Sequence, residues 1–373
     1  MKLLVVAPNT KDQALLSKMF ARGNHELSIV NDADSAFALI GQNACDVILA
    51  SSSLTTLPVA DFFSLVARQA PNSIRLLIND TELTGHIEGI HHQFNAPLKS
   101  QELVDVLEGT ISHHKAITKQ HIVKAVSEVK TLPSPPKVYM QLNTILREDS
   151  TDSQRIGQII GQDPALSAKV LQFANSSALN RGKALNSITD AITKMGVDTL
   201  SCIVMTAELF AYEPDIQGFS IEQEQLHSLA VAKLTASLVK PELKQDALMA
   251  GLLHDLGKLV LYEINPVLTQ KFFKNKFLSS DNSLLEQKIF STDHCHVGGY
   301  LLHMWSFPYP VIEAVVLHHR PEKLLKKQFG IAQAVYLANA LIREYDIPER
   351  FIAHYKLDAV MEKLQARAER LRM

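Results

Sequence analysis

Seven of the fifteen histidines of this 373-residue chain fall between His227 and His319. One of them is followed directly by an acid, in Gly251-Leu252-Leu253-His254-Asp255-Leu256-Gly257-Lys258. The neighbours are apolar and predict a buried helix. Burying an imidazole and a carboxylate there costs free energy unless the two pair or bind a cation. His227 lies upstream on a second apolar pattern with Leu226, Leu229, Leu234 and Leu238. Two readings stay open: a hydrogen-bonded His-Asp pair bracing two helices, or a metal centre. Lys258, one helical turn after His254, reads equally as a solvated lysine. His294 reads as a helix cap, and His296 and His303 as non-ligands. His318 and His319 are neighbours on a predicted helix, which would turn their imidazoles to different faces.

The elements that must position these groups come in two kinds. Residues 1–112 alternate short apolar runs with helical patterns. Strands are predicted at Lys2–Ala7, His25–Val30, Asp46–Ala50, Ile74–Ile78 and His92–Asn95, and helices at Asp12–Ala21, Asp34–Gly41, Asp61–Arg68 and Gln101–Thr110. Strand–helix alternation implies βαβ units around a parallel sheet, a doubly wound α/β domain of the flavodoxin type. Residues 113–130 read as a linker helix. Leu132-Pro133-Ser134-Pro135-Pro136 then stops any helix and marks a boundary. Residues 131–345 are helical throughout, an all-α domain. Within it Asp163-Pro164 signals a helix start and Asn175-Ser176-Ser177 a helix end. Residues 346–373 form a helical tail whose basic stretch, Glu362–Arg372, reads as a solvated helix or a docking element.

Composition bounds the function. Thirty-seven Lys+Arg against 39 Asp+Glu give a net charge of −2, which supplies no general basic excess for nucleic acid or an anionic membrane. No apolar run approaches the roughly 20 residues of a membrane span. The start is too short an apolar run for a signal peptide. Cys45, Cys202 and Cys295 are odd in number and widely spaced, which favours a reducing cytoplasm over a disulfide framework.

The βα rhythm of the first domain resembles the response-regulator receiver family. In that family an aspartate after the third strand accepts phosphate, an acidic pair after the first strand holds magnesium, and a hydroxyl and a lysine contact the phosphoryl group. A carboxylate attacking phosphorus needs those cations to cancel repulsion. Here the acidic pair is Pro8 and Asn9, the phosphoacceptor position is Ser51, the hydroxyl position is near Asn79, and the lysine before Pro97 is Ala96. The resemblance therefore implies a pseudo-receiver that cannot be phosphorylated on aspartate. Asp12 and Asp80 read as cap and turn residues, and Ser51-Ser52-Ser53 as a polar loop.

His227 with His254-Asp255 resembles the HD superfamily of metal-dependent phosphohydrolases. The longer series is similar to the HDOD family, a branch related to HD-GYP cyclic-di-GMP phosphodiesterases. It runs from the proline cluster through Ile159-Ile160-Gly161-Gln162-Asp163-Pro164-Ala165-Leu166, Leu171-Gln172-Phe173-Ala174-Asn175-Ser176 and Ile188–Gly196. It continues with His254–Lys258, Asp293-His294-Cys295-His296-Val297-Gly298-Gly299, Trp305-Ser306-Phe307-Pro308 and His318-His319-Arg320-Pro321. The resemblance implies metal-ligand positions at His227, His254, Asp255, His294 and His318, with His319 as its neighbour. It puts Asn339 where a closing aspartate is expected and Lys258 where an active homologue contacts phosphate. A neutral amide is a weaker ligand than a carboxylate, and Arg320-Pro321-Glu322 replaces the GYP triplet.

Two degraded chemical sites in one chain lead to the expectation of a bacterial signalling regulator that acts by protein–protein interaction. A two-component or cyclic-di-GMP-linked pathway is expected, with a histidine kinase, diguanylate cyclase or phosphodiesterase as partner class and a homodimer compatible with the linker. The first alternative is a phosphohydrolase or phosphodiesterase acting on a (cyclic di)nucleotide with a divalent metal (Fe, Mn, Zn or Mg). The second is a nucleotide or metal sensor without turnover.

Overall fold

The structure, a computed structural model, describes the chain apart from residues 1, 8, 21–25, 43, 81–86, 88, 130–131, 134–136, 148–152, 176–181, 210–215, 277–280 and 373. The chain divides into two compact units. The first comprises Met1–Lys119 with Tyr300–Ile312, the second Gln120–Gly299 with Glu313–Met373.

In the first unit the apolar runs form five parallel strands: β1 (Lys2–Val6), β2 (Glu26–Val30), β3 (Val47–Ser51), β4 (Ile74–Asn79) and β5 (His92–Asn95). Their order, β2-β1-β3-β4-β5, is the flavodoxin-like winding. Helices α1 (Thr10–Phe20), α2 (Ala33–Gln42), α3 (Val59–Gln69) and α4 (Ser100–Ile117) accompany them. Strand side chains alternate faces. Leu4, Val6, Ile48, Ala50 and Leu77 therefore pack with Ala36 of α2 and Phe62, Phe63 and Val66 of α3. Leu3, Val5, Val47, Leu49 and Leu76 turn the other way, onto Leu16 of α1 and Leu103 and Leu107 of α4. Both faces are covered, which is why the strands read as unbroken apolar runs. The helix predicted at Gln101–Thr110 continues past Thr110 to Ile117. The chain then breaks at Thr118, whose N–H and Oγ1 both return to the His114 carbonyl. The helical potential of residues 113–130 is thus shared by the end of α4 and a separate helix, α5 (Gln120–Ser127).

The remainder is helical. It begins with α6 (Lys137–Arg147), α7 (Ser153–Gly161), α8 (Pro164–Ala174), α9 (Ile188–Met195) and α10 (Val197–Leu209). There follow α11 (Ile221–Ala236), α12 (Lys244–Leu253), α13 (Gly257–Ile264), α14 (Pro266–Asn275), α15 (Ser283–Phe290) and α16 (His294–Met304). The last are α17 (Tyr309–Leu317), α18 (Pro321–Leu324), α19 (Ile331–Arg343), α20 (Glu349–His354) and α21 (Met361–Leu371). Asp163 caps α8 through the amides of Ala165 and Leu166, with Pro164 at the first helical position. Ser176 and Ser177 of the expected helix end, and Ser134, Pro135 and Pro136 of the boundary, lie outside the described residues. No helix among the described residues is long and apolar enough to cross a membrane.

His254 and Asp255 are not in the body of a helix. They occupy the turn between α12 and α13, where Leu256 N–H bonds the Leu253 carbonyl and Lys258 N–H the Asp255 carbonyl. Two close backbone approaches set this turn. A Cβ on Gly251 would lie 2.5 Å from Ala232 Cα, so α12 rides directly on α11, which carries His227. A Cβ on Gly257 would collide with the His294 carbonyl and lie 2.6 Å from Gly298 N, so the start of α13 touches the first turns of α16. Replacing Gly257 by Ala is expected to cost about 1–3 kcal/mol or more, because backbone rather than a side chain must yield. Gly298→Ala, whose added Cβ meets its nearest atoms at 3.2 Å, is expected to cost less. Urea unfolding of both variants checks the order.

Candidate metal centre

Five of the predicted ligand-position residues converge within the second unit. His227 comes from α11, His254 and Asp255 from the α12–α13 turn, His294 from the first residue of α16 and His318 from the residue after α17. All five are buried, as is Asn339 of α19. Asp255 is the hub. Its Oδ2 lies 3.3 Å from His254 Nε2 and 3.6 Å from His227 Nε2. Its Oδ1 lies 3.3 Å from His294 Nε2 and 3.6 Å from His318 Nε2. His227 Nε2 is 3.2 Å from His254 Nε2 and 3.1 Å from Asn339 Oδ1. His294 and His318 face each other through Nε2 at 3.2 Å.

Hydrogen bonds behind the rings fix which nitrogen faces the centre. His254 donates Nδ1–H to the Gly251 carbonyl at 2.8 Å, and His318 donates Nδ1–H to the Val315 carbonyl at 2.7 Å. A carbonyl can only accept, so in both rings Nδ1 carries a proton and it is Nε2 that faces Asp255. Burial drives the His318 pKa down to about 4. Burial, then Arg343, holds His227 well below the usual imidazole value, and burial with His318 does the same to His319. His294 is different. Burial opposes its charge, but Cys295, Glu286 and Asp255 together raise its pKa well above the ordinary value. Glu286 Oε2 accepts from His294 Nδ1 at 2.5 Å and from its backbone N–H at 3.0 Å, while Tyr262 donates its hydroxyl to Oε1 at 2.7 Å.

Fixed cations enter from one side. Lys258 Nζ lies 2.6 Å from Asp255 Oδ2 and 3.4 Å from Glu224 Oε2. Arg343 donates Nε–H to His227 Nε2 at 3.2 Å and Nη2–H to Glu224 at 2.9 Å. Burial would raise the Asp255 pKa, but His254 and Lys258 outweigh it and keep the carboxyl ionised. Lys258 is therefore held between two acids, Asp255 and Glu224. Beyond it lies a cavity of about 230 Å³ lined by Lys258, Glu286, His294, His319 and Arg343 among others.

The donor set fits a cation. Asp255 Oδ1 is buried with no hydrogen-bond partner. Around the carboxylate the ligand atoms form two groups within coordination reach, Asp255–His294–His318–His319 and His227–His254–Asp255. Imidazole-rich sets suit iron or zinc better than magnesium or manganese, which prefer oxygen. His319 belongs to the first group although helical spacing would turn it away from His318. Both residues lie beyond α17, which ends at Leu317, so the helical argument does not apply to them, and their rings stand 4.2 Å apart. His294 is not the cap of α16. Asp293 accepts from His296 N–H and fills that role, and it also pairs with the His296 ring. His303 belongs to the first unit and the cluster to the second.

Glu286, Glu224 and Arg343 were not singled out by sequence reading. Two of them carry a signal: Glu224 sits three residues before His227 on α11, and Arg343 four after Asn339 on α19, so each shares a helix face with a predicted residue. Glu286 has no such marker.

In the first unit, Pro8 lies outside the described residues. Asn9 caps α1 through Asp12 N–H at 2.9 Å. Asp12 is buried and saturated by Asn9 Nδ2 and the Leu98 amide. Ser51 ends β3, but the serine run is not a bare polar loop, and Asp80 is more than a turn residue. Asp80 accepts from Ser51 Oγ at 2.7 Å, Ser52 Oγ at 2.7 Å, Ser53 Oγ at 2.9 Å and Ser53 N–H at 3.1 Å. Asn79 lies beside Ser52, and the Ala96 amide bonds the Asn79 carbonyl. Hydroxyls and carboxylate have traded strands relative to a receiver, and the carboxylate oxygens are occupied.

Asp80→Ala is expected to destabilise the chain by about 1–3 kcal/mol, because it removes the shared acceptor of three serine hydroxyls and the Ser53 amide. Burial raises the Asp80 pKa, yet the three serines outweigh it and the net shift is downward. Its contribution is thus complete above the unfolded value near ~3.9 and fades as pH falls through the lowered folded value. The gap between wild type and Asp80→Asn in urea titrations should close on acidification. At the other site, purified wild-type protein is expected to retain a transition metal in elemental analysis, and Asp255→Ala to lose it.

The HDOD domain family model matches residues 132–321. A protein described as uncharacterized from Treponema pallidum is 22% identical over 251 residues, covering 62% of this chain, and the chain spans about half (47%) of that relative's length. The structure of an HDOD domain protein with unknown function from Geobacter sulfurreducens aligns with a TM-score of 0.52 and 21% identity, over 69% of this chain and 98% of that one. A candidate signal transduction protein from Marinobacter aquaeolei VT8 aligns with a TM-score of 0.53 and 18% identity, over 96% of this chain and 85% of the other. With a family model covering half its length and the His-Asp pair in place, the chain belongs to the HDOD family.

Proposed function

We propose that the chain is a bacterial signal-transduction regulator that acts through protein contacts, and that its Asp255 centre holds a cation without turning over a substrate. The observation that carries this reading is Lys258 Nζ at 2.6 Å from Asp255 Oδ2. Metal-assisted hydrolysis needs an open coordination position at which water loses its proton. In the His227–His254 half of the site a fixed ammonium neutralises that carboxylate oxygen, and Asn339 supplies an amide where another carboxylate would add charge. The adjoining cavity of about 230 Å³ is smaller than the ~300–1,000 Å³ of ordinary small-molecule sites, which argues against a cyclic dinucleotide there. The first unit supports the same conclusion, since its phosphoacceptor position is Ser51, bonded to Asp80.

A bound divalent metal would supply positive charge to Asp255 Oδ1. Asp255, His294 and His318 would hold it, Glu286 orients His294, and the Val315 carbonyl orients His318. Partners of the histidine kinase, diguanylate cyclase or phosphodiesterase type, a cytoplasmic setting and self-association belong to this proposal by family resemblance.

A second reading, a metal-dependent phosphohydrolase, is favoured by the unbonded Asp255 Oδ1 facing two imidazoles. Turnover of bis(p-nitrophenyl) phosphate with manganese, iron or zinc separates the two. The expected result is no turnover above the metal-only background. Turnover by wild type that disappears in Asp255→Asn would install the hydrolase reading instead.

A further inference from the structure

A second cavity, of about 1020 Å³, opens elsewhere on the second unit, and five of its lining residues are cations: Lys233 of α11, Lys244 of α12, and Lys363, Arg367 and Arg370 of α21. No carboxylate is among its described lining residues. The chain as a whole is balanced at −2, so this is a local sorting of charge.

The sorting is built into α21. Lys363, Arg367 and Arg370 follow the spacing that puts residues on one helix face, while Glu362 and Glu369 are one turn-pair apart on another. The helix is anchored, so its basic face is held in place. Ala368 is fully buried, and Arg372 donates to the Leu341 carbonyl at 2.6 Å and pairs with Glu344. At the inner end, Lys233 is half-buried and has no ion-pair partner among the described residues. Burial draws its pKa down, with Cys202 opposing, and an incoming anion would offset the cost of holding that charge out of water. The first turn of α10, with Thr199, also lines the cavity, and the positive end of a helix favours an anion. Leu248 and Ala236 supply an apolar wall.

We infer that this cavity binds a nucleoside polyphosphate, with its phosphates among Lys233, Lys244, Arg367 and Arg370 and its base against the apolar wall. Several convergent cations call for a ligand with several charges, and two arginines on one face suit the bidentate geometry of phosphate oxygens. The volume lies at the upper end of the ~300–1,000 Å³ usual for small-molecule sites, which fits a nucleotide better than inorganic phosphate. This site is separate from Asp255 and does not depend on the function proposed for that centre.

Isothermal titration of the full chain with ATP, tripolyphosphate, adenosine and a single-stranded DNA oligonucleotide tests it. ATP is expected to bind with one-to-one stoichiometry and more tightly than tripolyphosphate, and adenosine alone not to bind. Arg367→Glu with Arg370→Glu should weaken ATP about tenfold or more, with an unchanged thermal melt because both side chains are exposed. Lys233→Met should weaken it as well, and Asp255→Ala should leave it unchanged. The inference is overturned if ATP does not bind, if the α21 variant binds it as wild type does, or if Asp255→Ala abolishes binding. Equal affinity for tripolyphosphate, or tighter binding of the oligonucleotide, would likewise overturn it and assign the face to inorganic polyphosphate or to nucleic acid.

Discussion

A carboxylate removed from water must be compensated where it stands, and in the helical unit everything near Asp255 serves that demand. One oxygen takes Lys258. The other faces His294 and His318 and has no hydrogen bond. Because the rings behind it are tethered to carbonyls and to Glu286, they cannot swing away to satisfy themselves elsewhere. The cluster is thus rich in acceptors held at short range, an arrangement stable only with protons or a metal among them. The glycines at 251 and 257 are consequences of the same demand. Imidazoles on α11, α16 and the α12–α13 turn can meet one carboxylate only if the backbones approach within the reach of two short side chains.

Much of this was legible in the sequence, for an identifiable reason. Strand alternation against helices reads directly because each period maps to one burial face, and the two clusters on either side of the sheet separate by residue parity as the pattern predicts. The His-Asp pair reads because charged residues inside an apolar run are costly and hence conspicuous. What did not read were features that depend on how helices end. His254 and Asp255 sit in a turn, His318 and His319 lie past the end of α17, and the break at Thr118 divides a stretch that looked continuous. Periodicity describes the interior of an element and carries little information about its last residue. Glu286 was invisible for a different reason: its importance comes wholly from a partner eight residues away across a loop.

The first unit shows the same compensation solved without a metal. A receiver crowds carboxylates at the ends of its strands and needs a cation to hold them. Here Ser51 ends β3, Asp80 follows β4 and Asp12 lies in the first turn of α1, and both carboxylates have hydrogen-bond donors in place: Asp80 has the serine run, and Asp12 has Asn9 and the Leu98 amide.

Near-zero net charge conceals how differently the cations are used. Lys258 and Arg343 are both committed to Glu224 and to the Asp255 centre, so they stabilise buried acids and are unavailable to a ligand. Lys233, Lys363, Arg367 and Arg370 line a concavity without a carboxylate among its described residues. Mutual repulsion of such a group is weak in water but grows for the member that is half-buried, where solvent screens it least. A fold that keeps Lys233 at that position, with an anchored helix presenting three more cations toward the same space, accepts an electrostatic cost that a bound anion would lower. By contrast, the Asp255 centre has its cation requirement half met from within the chain. The physical asymmetry between the two places, one short of positive charge on a single oxygen and the other short of negative charge across a whole cavity, is the reason for inferring the phosphate site at the second.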